Sequence, residues 1–480
     1  MKGYSLFLNA AALSPSTPYA SPALDLIRKE CGLMGTKEGC REGDCGACAV
    51  LVGGFEAEGL RYRALPSCLL ASGYLADRHL ITIEGLGPGL SPVQKAFLEE
   101  NASQCGFCSP GFIMALTGWI CEPEKLNLPG AMAAVDGNLC RCTGYGAIRR
   151  ASERLVAEFS DLPLTATERL KALANQGVLP QSVFAYGAWI QERKAAKVVA
   201  RVQTRDVAGG IVAGGTDFYV RTPEPALGFS PVLAKSLPEL EGMNILEIQG
   251  RKALRIGAAA TVREFFSSPL VREWVPGIEK FESSFASTLI RNLATLGGNI
   301  ANASPVGDLT SMLLALDAEL EIKGRGIRRI PLKAFFLGYK KIDLLPGEII
   351  VSICIPLAES PLRFSFAKIT KRENLDIAAV NIAIAFHEDK GRFHGVQISA
   401  GGVAPTPLLL AKAMEELEGR PIPPDGDTVN RVAEAAMVEV SPIGDVRGSA
   451  EYRRKMTGRL VQANFLNLFP NGSLAKELYP

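Results

Sequence analysis

The pattern of apolar and polar positions changes character along this chain. Over residues 1 to about 85, short apolar runs (YSLFLN, ACAVLVGG, RYRALPSCLL, HLITIEGL) alternate with polar turns, and one stretch, PALDLIRKEC, has helical spacing. Short runs bounded by glycine, proline and serine predict strands, so a small mixed α/β domain is expected here. From Ser91 the pattern turns helical. Ser109 before Pro110 predicts an N-cap with proline at the first helical position. Phe112, Leu116, Trp119 and Ile120 then fall at i, i+4, i+7 and i+8, one face of an amphipathic helix. GYGAIRRASERLVAEF repeats the habit with Ile148, Leu155 and Val156, so a helical bundle is expected over 86–160. Residues 161–182 have prolines near both ends and read as a linker with one helix. From about 183 the chain reads as strand-and-glycine rich: KVVARV, GGIVAGGTDF, ALRIGAAATV, LATLGGNIAN, AELEIKG and GEIIVSICIPL. Residues 359–480 begin with long strands (RFSFAKIT, IAAVNIAIAF, FHGVQISAGGV) and continue as helices (LLLAKAMEELEG, TVNRVAEAAMVEV).

Composition adds bounds. At 480 residues the chain has room for several domains of ordinary size. Lys and Arg number 52 against 50 Asp and Glu, a net charge of +2, so nothing points to a nucleic-acid partner. No apolar run approaches the length of a membrane span. The start, with LFLNAAAL and YASPA, loosely mimics a signal peptide, but Asn9 breaks the apolar stretch and a first strand is the stronger reading. A cytoplasmic protein is expected.

Cysteine changes the picture most. Ten of the 11 cysteines precede residue 143, and eight fall at ligand spacings. Cys40, Cys45 and Cys48 read C-x4-C-x2-C, with Cys68 as a remote fourth; this is the plant-type [2Fe–2S] spacing. Gly39, Gly43 and Gly46 lie among the first three. Glycine permits the positive φ of a loop folded tightly round an inorganic core, and it lets backbone N–H groups point at sulfur. Cys105 and Cys108, then Cys140 and Cys142, form a second set of close pairs. Taken alone that set suits iron or a four-thiolate zinc site equally; beside the first it favours iron. Cys31, Cys121 and Cys354 match neither pattern and read as buried free thiols.

Two glycine loops follow. IVAGGTD ends a β-branched run in Gly214 and Gly215, a turn that suits a pyrophosphate or simply a helix start at Asp217. It is not G-x-G-x-x-G, so no Rossmann fingerprint is present. LGGNIANASPVGD, with Gly297, Gly298, Asn299 and Asp308, is the second, and alone it reads equally as a turn cluster.

In their order, TKEGCREGDCGACAV, QCGFCSPG, NLCRCTGYGAI, AGGTD and TLGGNIANASPVGD resemble the iron–sulfur and flavin portion of the xanthine dehydrogenase/aldehyde oxidase family of molybdenum hydroxylases. The resemblance covers nearly the whole chain and is strongest to the separate small subunit of bacterial members. It implies a multidomain α+β protein: a β-grasp ferredoxin-like domain (1–85), a four-helix iron–sulfur domain (86–160), a linker (161–182), an FAD-binding domain of the vanillyl-alcohol-oxidase type (183–358) and a small α+β C-terminal flavoprotein domain (359–480). Cys40, Cys45, Cys48 and Cys68 would hold one [2Fe–2S] cluster, and Cys105, Cys108, Cys140 and Cys142 the other. Ala213, Gly214, Gly215, Thr216 and Asp217 would contact FAD, with Gly298, Asn299, Ser304 and Asp308 lining the same site. Phe285 would pack near the isoalloxazine, unless it is ordinary core, and Lys368 would lie near the flavin, unless it is a solvated strand end. Gln104 would face the molybdenum centre.

The family's molybdopterin domain is larger than any space left in the sequence. The resemblance therefore implies no catalytic residue in this chain, but a molybdopterin-binding large subunit in an α2β2 assembly. Electrons would run from molybdenum through the second cluster, the first cluster and FAD to NAD+. Xanthine is the expected substrate. Aldehyde or N-heterocycle hydroxylases, a ferredoxin–flavin reductase without molybdenum, and a zinc-stapled interaction module are the competing readings.

Overall fold

Alternating side-chain direction along a strand lets one sheet serve two cores, and the N-terminal region uses this fully. In the computed structural model, which describes residues 4–56, 59–196, 210–226, 228–470 and 472–479, the strands β1 (Leu6–Leu8), β2 (Ala11–Leu13), β3 (Ala49–Glu56), β4 (Gly59–Pro66) and β5 (His79–Ile81) form one sheet. Its order is β2-β1-β5-β3-β4, with β1 and β5 parallel and the other pairs antiparallel. Val50, Val52 and Leu80 bury against Leu24, Leu26 and Ile27 of the turn of helix at 23–30. Ala49, Leu51 and Ile81 face the opposite way, into a helical core. This is the β-grasp arrangement.

That helical core holds Pro92–Glu99, Ser109–Cys121, Leu128–Ala134 and Gly146–Glu158. Two expectations are corrected here. The N-cap of the second helix is Cys108, and Ser109 is its first residue, because the Ser109 hydroxyl is engaged by Ser103 at 2.8 Å. The same helix is buried on every side, not one: Gly111, Ile113, Met114, Ala115 and Gly118 are buried along with Phe112, Leu116 and Ile120. It lies between sheet and helices, so no face meets water. A Cβ on Gly118 would come within 2.8 Å of the Ala64 backbone nitrogen, which is why glycine stands there.

The stretch read as a linker, 161–182, is packed structure. Its helix Ala166–Asn175 buries Leu170 and Leu173 in the same core. Buried Arg169 donates to the Ile120 carbonyl at 2.7 Å and to the Pro163 carbonyl at 2.9 Å. The next residues are helical too, over Ser182–Ala196, where strands were expected from 183. Val183, Tyr186 and Ile190 form its buried face. Tyr186 and Trp189 pack at a tilt against Phe7, and the Tyr186 ring centroid lies 5.1 Å from that of His79. Docking on the N-terminal sheet decides this conformation. The strand expected at KVVARV lies outside the described residues.

The chain divides into two compact units: Met1–Ser236 with Ala286–Ala294, and Leu237–Phe285 with Thr295–Pro480. The first unit ends with the short parallel pair β6 (Ile211–Val212) and β7 (Val232–Leu233). In the second unit, β8 (Met243–Ile248), β9 (Arg251–Gly257), β10 (Glu319–Lys323), β11 (Ile327–Pro331) and β14 (Ile349–Pro356) form an antiparallel sheet of order β11-β10-β14-β9-β8. β12 (Phe336–Gly338) and β13 (Lys341–Ile342) form a small hairpin. LATLGGNIAN, expected as a strand, is the helix Leu296–Asn302, because the Thr295 hydroxyl caps it by accepting from the Gly298 N–H.

The C-terminal region follows its pattern: β15 (Leu362–Ile369), β16 (Val380–Asp389), β17 (Arg392–Gly401) and β18 (Leu408–Leu409) pair as an antiparallel meander. Val380, Ile382 and Ile384 bury against the helices Ala411–Leu417, Gly426–Glu439 and Ala450–Leu468. The last was not anticipated, since its sequence is heavily charged. Arg453 explains it: the buried guanidinium donates to the Ala379 and Gly402 carbonyls and pairs with Asp445 at 2.6 Å. The alternate residues Asn381 and Ser399 face the helix Asp308–Ala315.

Candidate functional site

The loop 40–48 winds tightly, with Gly43 at φ +82° and Gly46 at φ +64°. A Cβ on Gly43 would lie 2.7 Å from both Leu69 and Ile290. The winding turns backbone donors inward. The N–H groups of Glu42, Asp44 and Cys45 all donate to the Cys40 sulfur. A hydrogen bond from Cys45, together with these donors, outweighs burial and pushes the Cys40 thiol down to about 5. The Cys45 thiol moves up correspondingly. Cys48 and Cys68 form a second buried pair, Sγ to Sγ 3.3 Å, in which the Cys68 thiol lowers the Cys48 pKa.

The other set is arranged likewise. Cys142 and Cys105 lie 3.6 Å apart, sulfur to sulfur, both exposed. Cys108 bonds to Cys140; burial first, then this contact, pushes Cys108 up to about 12. Burial would also raise Cys140, but the Thr143 hydroxyl and N–H hold it down. Gln104 and Phe107 are exposed beside Cys105. So the eight thiols fall into four pairs, and in three of them one sulfur (Cys40, Cys48 and Cys140) is held towards the thiolate. Among the described residues no group of three or more His, Cys, Asp or Glu converges as a single-ion site. Paired thiolates served by backbone donors fit two binuclear clusters, with two protein ligands per iron.

The two loops touch. The Leu139 N–H donates to the Cys45 carbonyl at 3.0 Å, and Asn138 donates to the Gly46 carbonyl at 3.2 Å. Cys31, Cys121 and Cys354 are free thiols outside these sets, raised by burial.

The AGGTD loop, Ala213–Asp217, is half-exposed in the first unit. A Cβ on Gly214 would collide with the Leu293 carbonyl, and one on Gly215 would meet the Leu69 carbonyl at 3.0 Å. Both glycines are therefore demanded by close backbone packing, and Gly215 also by its φ of +76°. Asp217 pairs with Arg221 at 2.8 Å.

The second loop lies in the second unit. Asn299 accepts from the Thr310 hydroxyl at 3.1 Å, and the Ser304 hydroxyl accepts from the Val306 N–H at 3.4 Å. Lys368 is no solvated strand end: its side chain is 9% exposed and pairs with Asp308 at 2.8 Å. Asn381, which sequence reasoning missed, donates to the other Asp308 oxygen at 2.7 Å and to the Val306 carbonyl at 3.2 Å. Burial raises the Asp308 carboxyl, opposed by Lys368 and Asn381. Phe285 is half-buried at the end of a short helical turn. Lys368 also donates to the Asp376 carbonyl at 3.2 Å, so its charge is held by Asp308 and its remaining contact is backbone. Gly298 and Asn299 are half-exposed and leave this loop open to a ligand.

Three family models match. They are a [2Fe-2S] binding domain over 82–153, an FAD binding domain in molybdopterin dehydrogenase over 181–358, and a CO dehydrogenase flavoprotein C-terminal domain over 365–468. The chain is similar to xanthine dehydrogenase 1 of Arabidopsis thaliana (28% identity over 89% of this chain) and to a nicotinate hydroxylase of Emericella nidulans (27% over 86%). It spans 37% of the length of each. A Cu,Mo-CO dehydrogenase structure is alike in fold, at TM-score 0.50 and 24% identity, over 55% of this chain and 94% of that one. No helix among the described residues is long and apolar enough to cross a membrane. The matched models and these relatives converge on one family, and this chain belongs to it: it carries the [2Fe–2S] and FAD-binding domains of the molybdenum hydroxylases.

Proposed function

We propose that this chain is the electron-transfer subunit of a molybdenum hydroxylase, xanthine dehydrogenase foremost, working with a separate molybdopterin-binding subunit in an α2β2 assembly in the cytoplasm and delivering electrons to NAD+. The observation that carries this reading is the sorting of eight cysteines into four close pairs around two touching loops. When bound, two [2Fe–2S] clusters would supply one-electron carriers, and FAD a carrier that takes electrons singly and gives them up as a pair.

The chain's own residues bind and orient these groups. Cys40, Cys45, Cys48 and Cys68 hold one cluster in a mostly buried loop; Cys105, Cys108, Cys140 and Cys142 hold the other, with Cys105 and Cys142 at the surface. In this proposal the exposed edge near Gln104 faces the partner. Ala213–Asp217, Phe285, Gly298, Asn299, Ser304 and Asp308 receive FAD, and Lys368 lies beside it. The five-segment division at 85, 160, 182 and 358 belongs to the same proposal, with 161–182 assigned to the packed helical body.

The test is purification with the native partner, followed by metal analysis, EPR and turnover of the two-subunit enzyme with hypoxanthine or xanthine and NAD+. Two distinguishable [2Fe–2S] signals are expected, one lost in Cys48→Ser and the other in Cys142→Ser. Zinc in place of iron, or absence of flavin, overturns the reading. Purification without a molybdenum subunit favours the ferredoxin–flavin reductase. The resemblance to a nicotinate hydroxylase supports a second substrate reading, an N-heterocycle other than a purine; aldehydes are tested in the same assay.

A further inference from the structure

Nine residues, Ala286–Ala294, belong to the first unit although the chain on both sides of them belongs to the second. They form a strap across the redox loops. Arg291, 2% exposed, pairs with Asp136, 5% exposed, at 2.9 Å. Arg291 also donates to the Thr288 hydroxyl at 2.7 Å. The Thr288 N–H donates to the other Asp136 oxygen at 2.8 Å, and its hydroxyl donates to the Ala133 carbonyl at 2.7 Å. Asp136 stands four residues before Cys140, and Gly137 beside it is so close that a Cβ would lie 2.6 Å from the Ser287 hydroxyl. The strap is thus locked to the loop that carries the second cysteine set.

The same nine residues reach the other two loops. Ile290 fills the space beside Gly43 in the loop 40–48. Asn292 donates to the Ala64 carbonyl of β4 at 3.0 Å, in a buried site. At the far end, the Leu293 carbonyl and the Ala294 Cα, 3.0 Å from a Cβ on Gly214, form the floor on which the AGGTD loop rests. Beside Gly215 stand the Tyr219 ring and the Leu69 carbonyl, the latter one residue after Cys68.

Resting on the reading of these loops as iron and flavin sites, we propose that Asp136 and Arg291 are positioning residues that couple flavin affinity to the iron loops through the strap. Neither touches a cofactor. Iron in the cysteine loops holds Asp136 and Gly43 in place, these seat Arg291 and Ile290 of the strap, and the strap holds Gly214. Coupling between sites is reciprocal, so flavin at the AGGTD loop stabilises the iron sites in turn.

The test uses the full chain loaded with iron, with FAD as the probe. Iron loss to a chelator is followed by loss of cluster absorbance, with and without saturating FAD. Iron leaves through an opened state in equilibrium with the closed one. FAD stabilises the closed state with a coupling of about 5- to 150-fold in affinity, so it should slow this loss by up to that factor in the wild-type protein. In Arg291→Met the ratio should fall towards one, while both cluster EPR signals persist. Thr288→Val, which removes the hydroxyl bonds but buries no lone charge, provides the second variant if Arg291→Met does not fold; it too should shrink the ratio. An FAD-independent rate of iron loss in the wild type overturns the coupling. So does an undiminished ratio in either folded variant. Failure of FAD to bind the iron-loaded wild type, seen as unquenched flavin fluorescence, is a separate result and overturns the flavin reading itself.

Discussion

His79 offers a measurable titration inside the N-terminal sheet. It is fully buried on β5, with Nδ1 2.6 Å from the Tyr62 hydroxyl and Nε2 2.8 Å from the Asn9 carbonyl. Phe7, Tyr62 and Tyr186 surround the ring. Burial among these rings pushes its pKa down from 6.5 to about 4, against the opposing bond to Asn9. The folded chain therefore keeps this imidazole neutral where the unfolded chain protonates it. The unfolded state binds more protons between those two values, so stability rises with pH across that window and is lost as pH falls from 6.5 toward 4. Integrating this shift gives a loss of about 2 kcal/mol between pH 7 and pH 5. The assay is urea unfolding at fixed pH, with Trp119 and Trp274 replaced by phenylalanine so that fluorescence reports Trp189, which contacts the same cluster. His79→Phe removes the titration. It leaves the Tyr62 hydroxyl without its partner, at a pH-independent cost of about 1–3 kcal/mol. Subtracting the two profiles should leave the His79 contribution alone. Parallel profiles for wild type and variant between pH 5 and 7 would refute the buried neutral histidine.

Two further outcomes follow from the packing. Lys368→Met strips the counter-charge from buried Asp308 and should destabilise the second unit by about 3–5 kcal/mol. The double variant with Asp308→Asn should cost less than the sum of the single changes, as read from four unfolding midpoints. Gly214→Ala drives a methyl into the Leu293 carbonyl; a loss of about 1–3 kcal/mol is expected by calorimetry, with lower flavin content by absorbance.

The parts legible in the sequence were those marked by residues close together along the chain, even where the fold pairs them differently, as it pairs Cys105 with Cys142. Cys40, Cys45 and Cys48 sit within one loop, and Cys105 with Cys108, and Cys140 with Cys142, are near neighbours. The spacing of the first three pointed to a [2Fe–2S] site, while the second set alone suited iron or zinc equally and leaned to iron only beside the first. Strands such as β3 and β16 were readable as short, near-continuous apolar runs, because both faces of each are buried along most of its length. Composition also carried the concentration of thiols in the first third of the chain.

Tertiary structure decided the rest. Ser182–Ala196 became a helix because Tyr186 and Trp189 found Phe7 and His79 on a distant sheet. Ala450–Leu468 became the longest helix around an arginine whose acceptors are the Ala379 and Gly402 carbonyls. The Lys368–Asp308–Asn381 cluster and the Asp136–Arg291 lock join residues 60 to 155 positions apart. Nothing in local spacing signals such pairs. A buried charge is tolerable only when a remote partner arrives with it, and that arrival is a property of the folded chain. The sequence by itself determined which groups could hold iron; only the fold determined that one strap, entering from a distant stretch of sequence, packs against both cysteine loops and the glycine loop.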